Sequence, residues 1–285
     1  MSNPGRSGSA KYEYLAGQSA VVTGGAGEIC GVFCDALAAE GVRVAILDVD
    51  EARALAKAEA IQARGGAALG MGADVTSRES LDKALLRVEE EFGELSILVN
   101  GAGGNHPRAT TSETLSFFDL PPEAFRRVFE LNVLGTVLPS QVFGKLIVDT
   151  VKRTDGFGHI VNLSSLNAFR PLTRVPAYSA AKAAVSNFTQ WLAVHLAQNY
   201  TPKVRVNAIA PGFFLTNQNR FLMMNAQTGE FTPRGQAIIA HTPAGELGRP
   251  EDLVSTLFWI LDPQSRLVNG AVVPVDGGFN AYSGV

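Results

Sequence analysis

At 285 residues, 46% of them apolar, the chain can bury a large core as one α/β domain or as two small ones, and its composition is not that of a disordered protein. A formal charge of −3, with 24 Lys and Arg scattered along the sequence, offers no cationic footprint for DNA or RNA, so no nucleic-acid partner is expected. Cys30 and Cys34 form neither a disulfide framework nor a C-x-x-C pair, and the four histidines fall into no ligand cluster, which predicts a reducing compartment and no bound metal.

The N-terminal "MSNPGRSGSAK" lacks the apolar core of a secretory signal, and no stretch reaches the ~18 uninterrupted apolar residues of a membrane span. A cytoplasmic protein with no membrane partner is expected. Residues 1–16 read as a flexible arm, rich in Ser and Gly ahead of any apolar period. From there, β-branched runs alternate with amphipathic segments: "AVVT" (20–23), "RVAILD" (43–48), "AALGMGAD" (67–74), "SILVN" (96–100), "HIVNLS" (159–164), "VRVNAIA" (204–210) and "AVVPVD" (271–276). Strands spaced this way, with helix-period segments such as "SRESLDKALLRVEEEFG" between them, predict βαβ units. The expected fold is α/β, a single Rossmann-type domain over 17–285 with a doubly wound, seven-stranded parallel sheet and helices on both faces. The longest break in rhythm, about 211–249, follows a strand's carboxyl end and reads as a substrate lid or a surface insertion.

The first strand runs into Thr23-Gly24-Gly25-Ala26-Gly27, after which a helix opens. Helix N-terminal N–H groups and the helix dipole favour a pyrophosphate there. The second strand ends in Asp48, whose carboxylate can accept from both ribose hydroxyls while repelling a 2′-phosphate, so NAD is expected rather than NADP; the alternative is that Asp48 caps the next helix. Further along, "YSAAK" puts Tyr178 and Lys182 four residues apart, on one face of a helix. An ammonium beside a phenol stabilises the phenolate and lowers its pKa, which would make Tyr178 a general acid/base. An idle surface pair is the alternative, but Ser165, thirteen residues upstream at the end of the fifth strand, offers a hydroxyl to the same substrate oxygen.

Taken in chain order, Thr23-Gly24, Asp74-Val75, "NGAG" (100–103), Asn132 in "LNVLG", Ser165, Tyr178, Lys182 and Pro211-Gly212 followed by Thr216 make the chain resemble the short-chain dehydrogenases/reductases over nearly all of its length after the arm. The resemblance implies a catalytic set of Asn132, Ser165, Tyr178 and Lys182. It implies cofactor contacts from Thr23, Gly24, Gly25, Gly27 and Ile29 in the loop, Asp48, Asp74 and Val75 around the adenosine, Asn100, Gly101, Ala102 and Gly103 beneath, and Tyr178, Lys182, Pro211, Gly212 and Thr216 at the nicotinamide. A homodimer or homotetramer is implied as well. Two departures stand out from the family's T-G-x-x-x-G-x-G and N-N-A-G: Glu28 and Cys30 replace the last two loop glycines, and Gly101 replaces an Asn. Glu28 is expected to point away from the pyrophosphate, and Gly31 to relieve crowding by Cys30.

Within that family, "NGAGGNHPRAT", "NAIAPGFFLTNQNRFL" and "HTPAGELGRPEDL" are similar to a branch that interconverts D-mannonate and D-fructuronate with NAD. A sugar acid needs amides for its hydroxyls and a guanidinium for its carboxylate. Asn105, His106, Asn167, Arg170, Asn219 and Arg220 are the substrate candidates, with Arg108, Arg174 and Asn217 nearby; polar loop residues simply in solvent are the alternative. Another polyol, sugar or ketone as substrate, or a non-catalytic cofactor-binding relative, also remains open. The terminal "GGFNAYSGV" is expected to dock on a partner or a site, or to fray.

Overall fold

A computed structural model of the chain describes residues 12–216, 220 and 222–284. Most of the expected arm, and Asn217 and Asn219, lie outside the described residues. Seven strands form one fully parallel sheet: β1 (Ser19–Thr23), β2 (Arg43–Asp48), β3 (Ala68–Gly72), β4 (Ile97–Asn100), β5 (Gly158–Leu163), β6 (Val204–Pro211) and β7 (Val272–Val275), in the order β3-β2-β1-β4-β5-β6-β7. Register pairs Thr23 with Asn100 and Asn100 with Asn162, so the carboxyl ends of β1, β4 and β5 are level. The order reverses between β1 and β4, and the crevice at such a switch point is where open α/β sheets bind ligands.

The central strands are buried on both faces, as their near-continuous apolar runs predict. On one face, Ala20, Val22, Val44 and Ile46 pack against α1 (Glu28–Ala39), α2 (Glu51–Gln62) and α8 (Val254–Leu261). On the other, Val21, Ala45 and Leu98 meet α3 (Arg78–Phe92), α5 (Gly135–Thr154) and α6 (Pro176–Asn199). The α4 helix (Pro122–Phe129) enters α5 through a π turn, Glu130–Leu134. This rod, Pro122–Thr154, is long and apolar enough to cross a membrane by length and composition alone; its Val142, Phe143, Ile147 and Val151 are buried in the core, which makes it a core helix.

The amino-terminal end departs from expectation. Order begins before residue 17: Tyr12 packs edge-on against Phe258 at 4.5 Å, the Tyr14 hydroxyl donates to the Phe258 carbonyl at 2.9 Å, and Leu15 is fully buried. Three apolar anchors outweigh the Ser/Gly composition just before them. The tail docks on its own chain, where His241 lies between the Phe279 and Tyr282 rings at 4.5 and 5.0 Å. Nor is 211–249 structureless; it carries a parallel bridge, Phe214 to Gly248, and helix α7 (Pro233–His241).

Candidate active site

The loop after β1 turns on Gly24, at φ +62°, where a Cβ would stand 3.0 Å from the Ala102 backbone. Only glycine meets both demands without strain. Behind it the Thr23 hydroxyl accepts from the Gly101 and Ala102 amides at 3.1 and 3.3 Å, tying the loops after β1 and β4 together. Gly27 is the N-cap of α1 and offers no side-chain cap, so the first-turn amides of α1 point to the cleft mouth. Asp48 does not cap α2: that position belongs to Asp50, which accepts from the Arg53 amide at 3.2 Å. The Asp48 carboxylate instead accepts from the amides of Ala26 and Asp50, at 3.2 and 3.1 Å, and borders the cleft.

Cys30 settles where the altered loop finds its space. A Cβ on Gly101 would fall 1.9 Å from Cys30 Sγ, whereas one on Gly31 meets nothing closer than 3.5 Å. The thiol occupies the room that a side chain at 101 would need, so Gly101, not Gly31, relieves the crowding. Burial pushes the Cys30 thiol up to about 12, which leaves it a packing group rather than a nucleophile. Glu28, expected to face away, is among the residues lining the cleft.

At the far end α6 presents Tyr178 and Lys182 one turn apart. Lys182 is buried; its ammonium donates to the Leu163 carbonyl at 2.7 Å and lies 5.6 Å from the Tyr178 ring centre. Burial pulls Lys182 down to about 8, with Cys30 opposing. The Tyr178 phenol is pushed above its ordinary value by burial, against a hydrogen bond with Ser165 that favours the phenolate. This direction is opposite to that inferred from the Tyr–Lys spacing, because desolvation of the phenol outweighs an ammonium already committed to a carbonyl. Ser165 is itself positioned: its hydroxyl accepts from the Asn167 amide at 3.2 Å.

The π turn sets Asn132 beneath these groups. Its amide nitrogen donates to the Gly104 and Val128 carbonyls at 2.7 and 2.8 Å, and its oxygen accepts from the Gly104 amide at 3.1 Å. The π turn marks a helix interruption of the kind found at functional sites. A buried polar ladder runs on from there. Asn100 donates to Ser140 and to Asn162, and Asn162 to Thr189, each at 2.9 Å, joining β4, β5, α5 and α6. No sequence period announces such a network.

A cleft of about 590 Å³ unites these parts. Gly24, Gly27, Ile29, Asp48, Asp74 and Val75 line one end; Gly101, Ala102, Gly103, Ser165, Tyr178, Lys182, Pro211, Gly212 and Thr216 line the rest. Thr23, Gly25 and Asn100 stand behind the wall: Thr23 and Asn100 are bonded as above, and Gly25 faces Ile46 in β2. Arg53, Gly104, Leu131, Ser164 and Phe214 line the cleft without having been singled out in the sequence. Of the substrate candidates, none among the described residues borders this cleft. Asn105 donates to Thr110 at 2.8 Å, His106 accepts from the Arg108 amide at 3.1 Å, and Asn167 is buried beside Ser165. Arg170 is exposed, and exposed Arg220 reaches Met224 Sδ at 3.7 Å.

Comparison with known proteins agrees with this geometry. The family described as enoyl-(acyl carrier protein) reductase matches residues 24–280. An uncharacterised oxidoreductase, UxuB of Bacillus subtilis, is 48% identical over 96% of this chain and 99% of its own length. A solved structure from Haemophilus influenza, provisionally designated a D-mannonate oxidoreductase and holding NAD, is 41% identical with a TM-score of 0.88, over 95% of this chain and 98% of that one. A sorbitol dehydrogenase of Cereibacter sphaeroides is 31% identical over 93% of this chain and 98% of its own. The chain belongs to the short-chain dehydrogenase/reductase family. It is accordingly an oxidoreductase acting on CH–OH groups.

Proposed function

We propose that the protein is an NAD-dependent dehydrogenase that interconverts D-mannonate and D-fructuronate, with Tyr178 as its general acid/base. The observation that carries the chemistry is the meeting of Ser165, Tyr178 and Lys182 at the end of a cleft whose other end offers Asp48 and the N-terminus of α1. NAD, when bound, supplies the acceptor and donor of hydride. The residues fit it: Gly24 lets backbone approach closely, α1 directs amides to a pyrophosphate, and Asp48, relieved of capping by Asp50, accepts from ribose hydroxyls. Asp74 and Val75 would border the adenine, Gly101 to Gly103 would form the floor, and Pro211, Gly212 and Thr216 would meet the nicotinamide end.

In the reducing direction Tyr178 donates its proton to the substrate oxygen, and in the oxidising direction it takes that proton back. Burial keeps the phenol protonated in the resting chain, which suits the donating role. Ser165 hydrogen-bonds the same oxygen, and Lys182, fixed on the Leu163 carbonyl, steadies the developing phenolate. Asn132 acts at one remove, holding Gly104 and the π turn in place. The likeness to the Haemophilus protein supports the sugar acid, and that to sorbitol dehydrogenase favours a neutral polyol as the second reading. Residues 211–249 are the lid in this reading, and the assembly is a homodimer or homotetramer. Tyr178→Phe, assayed with D-mannonate and NAD, should lower kcat by at least 10³-fold, on the order of 4 kcal/mol of barrier, while NADH binding stays within twofold. A substantial residual rate would remove Tyr178 from the mechanism.

A further inference from the structure

Beside the cleft lies a second cavity, of about 210 Å³, and the chain after β6 contributes to the lining of both. Gly212 and Phe214 face the cleft, whereas Phe213 between them faces the second cavity, as alternation along an extended segment requires. The opposite rim is Leu172 to Val175, which leads directly into α6 and Tyr178. One face of α7 forms the third wall: Arg234, Ala237, Ile238 and His241 stand at i, i+3, i+4 and i+7. The floor is aromatic, Phe213 packing on Phe279 at 5.1 Å, and Phe279 in turn on His241.

Arg174 and Arg234 thus reach one small apolar-floored space from two elements. Among the described residues, no Asp or Glu lines it and neither guanidinium forms an ion pair. Two unneutralised guanidinium forks over an apolar floor recognise a planar anion. We propose that this cavity receives the carboxylate of the substrate, held by Arg174 and Arg234 with His241 at the end of the same wall, so that the chain of a hydroxy acid extends from it toward Ser165 and Tyr178. The inference deepens the sugar-acid reading and rests on it for the substrate class. It also explains why the sequence candidates do not border the cleft: the carboxylate's partners are in α7 and before α6.

The test is calorimetric titration of the enzyme–NADH complex with D-mannonate and D-gluconate, each paired with its neutral polyol, D-mannitol and D-sorbitol. The wild-type protein should bind an acid at least tenfold more tightly than its polyol. Arg174→Gln and Arg234→Gln should each weaken acid binding about tenfold, and together abolish the preference for acid, with polyol and NADH binding within twofold. Both arginines are exposed, and NADH binding verifies the fold of the variants. Equal binding of acid and polyol by the wild type, no binding of either acid, or a preference that survives the double substitution would each overturn the proposal. A preference for D-gluconate alone, lost in the double variant, keeps the carboxylate cavity and overturns D-mannonate as the substrate.

Discussion

Gly101→Ala isolates the packing exchange that distinguishes this cofactor loop. The new methyl would stand 1.9 Å from Cys30 Sγ and 2.9 Å from the Thr23 carbonyl, against ordinary heavy-atom contacts of about 3.5–4.0 Å. Cys30, 4% exposed in the first turn of α1, has little room to withdraw, and overpacking of this kind costs about 1–3 kcal/mol. Cys30→Gly alone should cost about 2 kcal/mol, roughly 1 for glycine within a helix and roughly 1 for lost buried surface. Were the two independent, the double variant would lose about 3–5 kcal/mol. Because the vacated thiol space accepts the methyl, the double variant should instead fall within about 1 kcal/mol of Cys30→Gly, the remainder coming from the Thr23 contact. Urea unfolding of the four proteins without cofactor, followed by Trp191 and Trp259 fluorescence, measures the cycle. Additivity to within about 0.5 kcal/mol would refute the exchange.

Three further substitutions examine the cofactor end and the core. Asp48→Asn removes the charge that repels a 2′-phosphate, and the NADP-to-NAD ratio of kcat/KM should rise about tenfold, near 1.4 kcal/mol; an unchanged ratio would move nucleotide choice elsewhere. Glu28→Gln should tighten NADH binding by about two- to fivefold, through relief of repulsion at the cleft mouth worth about 0.3–1 kcal/mol; weaker binding would show that the carboxylate assists the cofactor. His159, paired in register with Arg205, is buried and held down to about 3 by burial and by the Arg205 charge. The folded chain therefore refuses a proton that the unfolded chain accepts below pH 6.5, and this histidine's contribution to stability falls as pH drops from 6.5 toward 3. By that linkage wild-type stability should lose roughly 2–3 kcal/mol from this residue between pH 7 and pH 4.5, and His159→Gln should lose that part of the slope in urea titrations at the two pH values. An identical slope would assign acid sensitivity to other groups.

Local pattern made much of this molecule legible. Strand limits read from β-branched runs fall within one or two residues of the observed ones, because parallel strands buried on both faces must be continuously apolar. Tyr178 and Lys182 were visible because a helix turns i and i+4 to one side, and the burial of Lys182 follows from the Ala-rich surroundings of α6. What spacing does not report is environment. The direction of the Tyr178 shift depends on how deeply the phenol is desolvated and on where the Lys182 ammonium is anchored. Asn100 read as floor because "NGAG" runs beneath the site, yet β4 turns its side chain inward to Ser140 and Asn162. Of the arginines of the second cavity, Arg174 stood among the polar loop residues noted in the sequence, but Arg234 was hidden for a related reason: α7 lies inside a segment whose rhythm resembles a loop, so Arg234 had no visible face to belong to.

Contacts between distant segments explain the remaining anomaly. In sequence, Cys30 and Gly101 are two separate deviations from the family's motifs, and together they suggest a damaged cofactor loop. In space they are one exchange of volume, a thiol entering from α1 where a side chain has been withdrawn after β4. The features that cofactor binding needs are untouched by it: Gly24 keeps its left-handed backbone, Thr23 still joins the two loops, and the N-terminus of α1 remains without a side-chain cap. Glu28 is the remaining departure, and it lines the cleft. The case for a relative that keeps the fold and has lost catalysis drew on the altered loop; once the loop's changes cancel, that case has no physical support beside the meeting of Ser165, Tyr178 and Lys182.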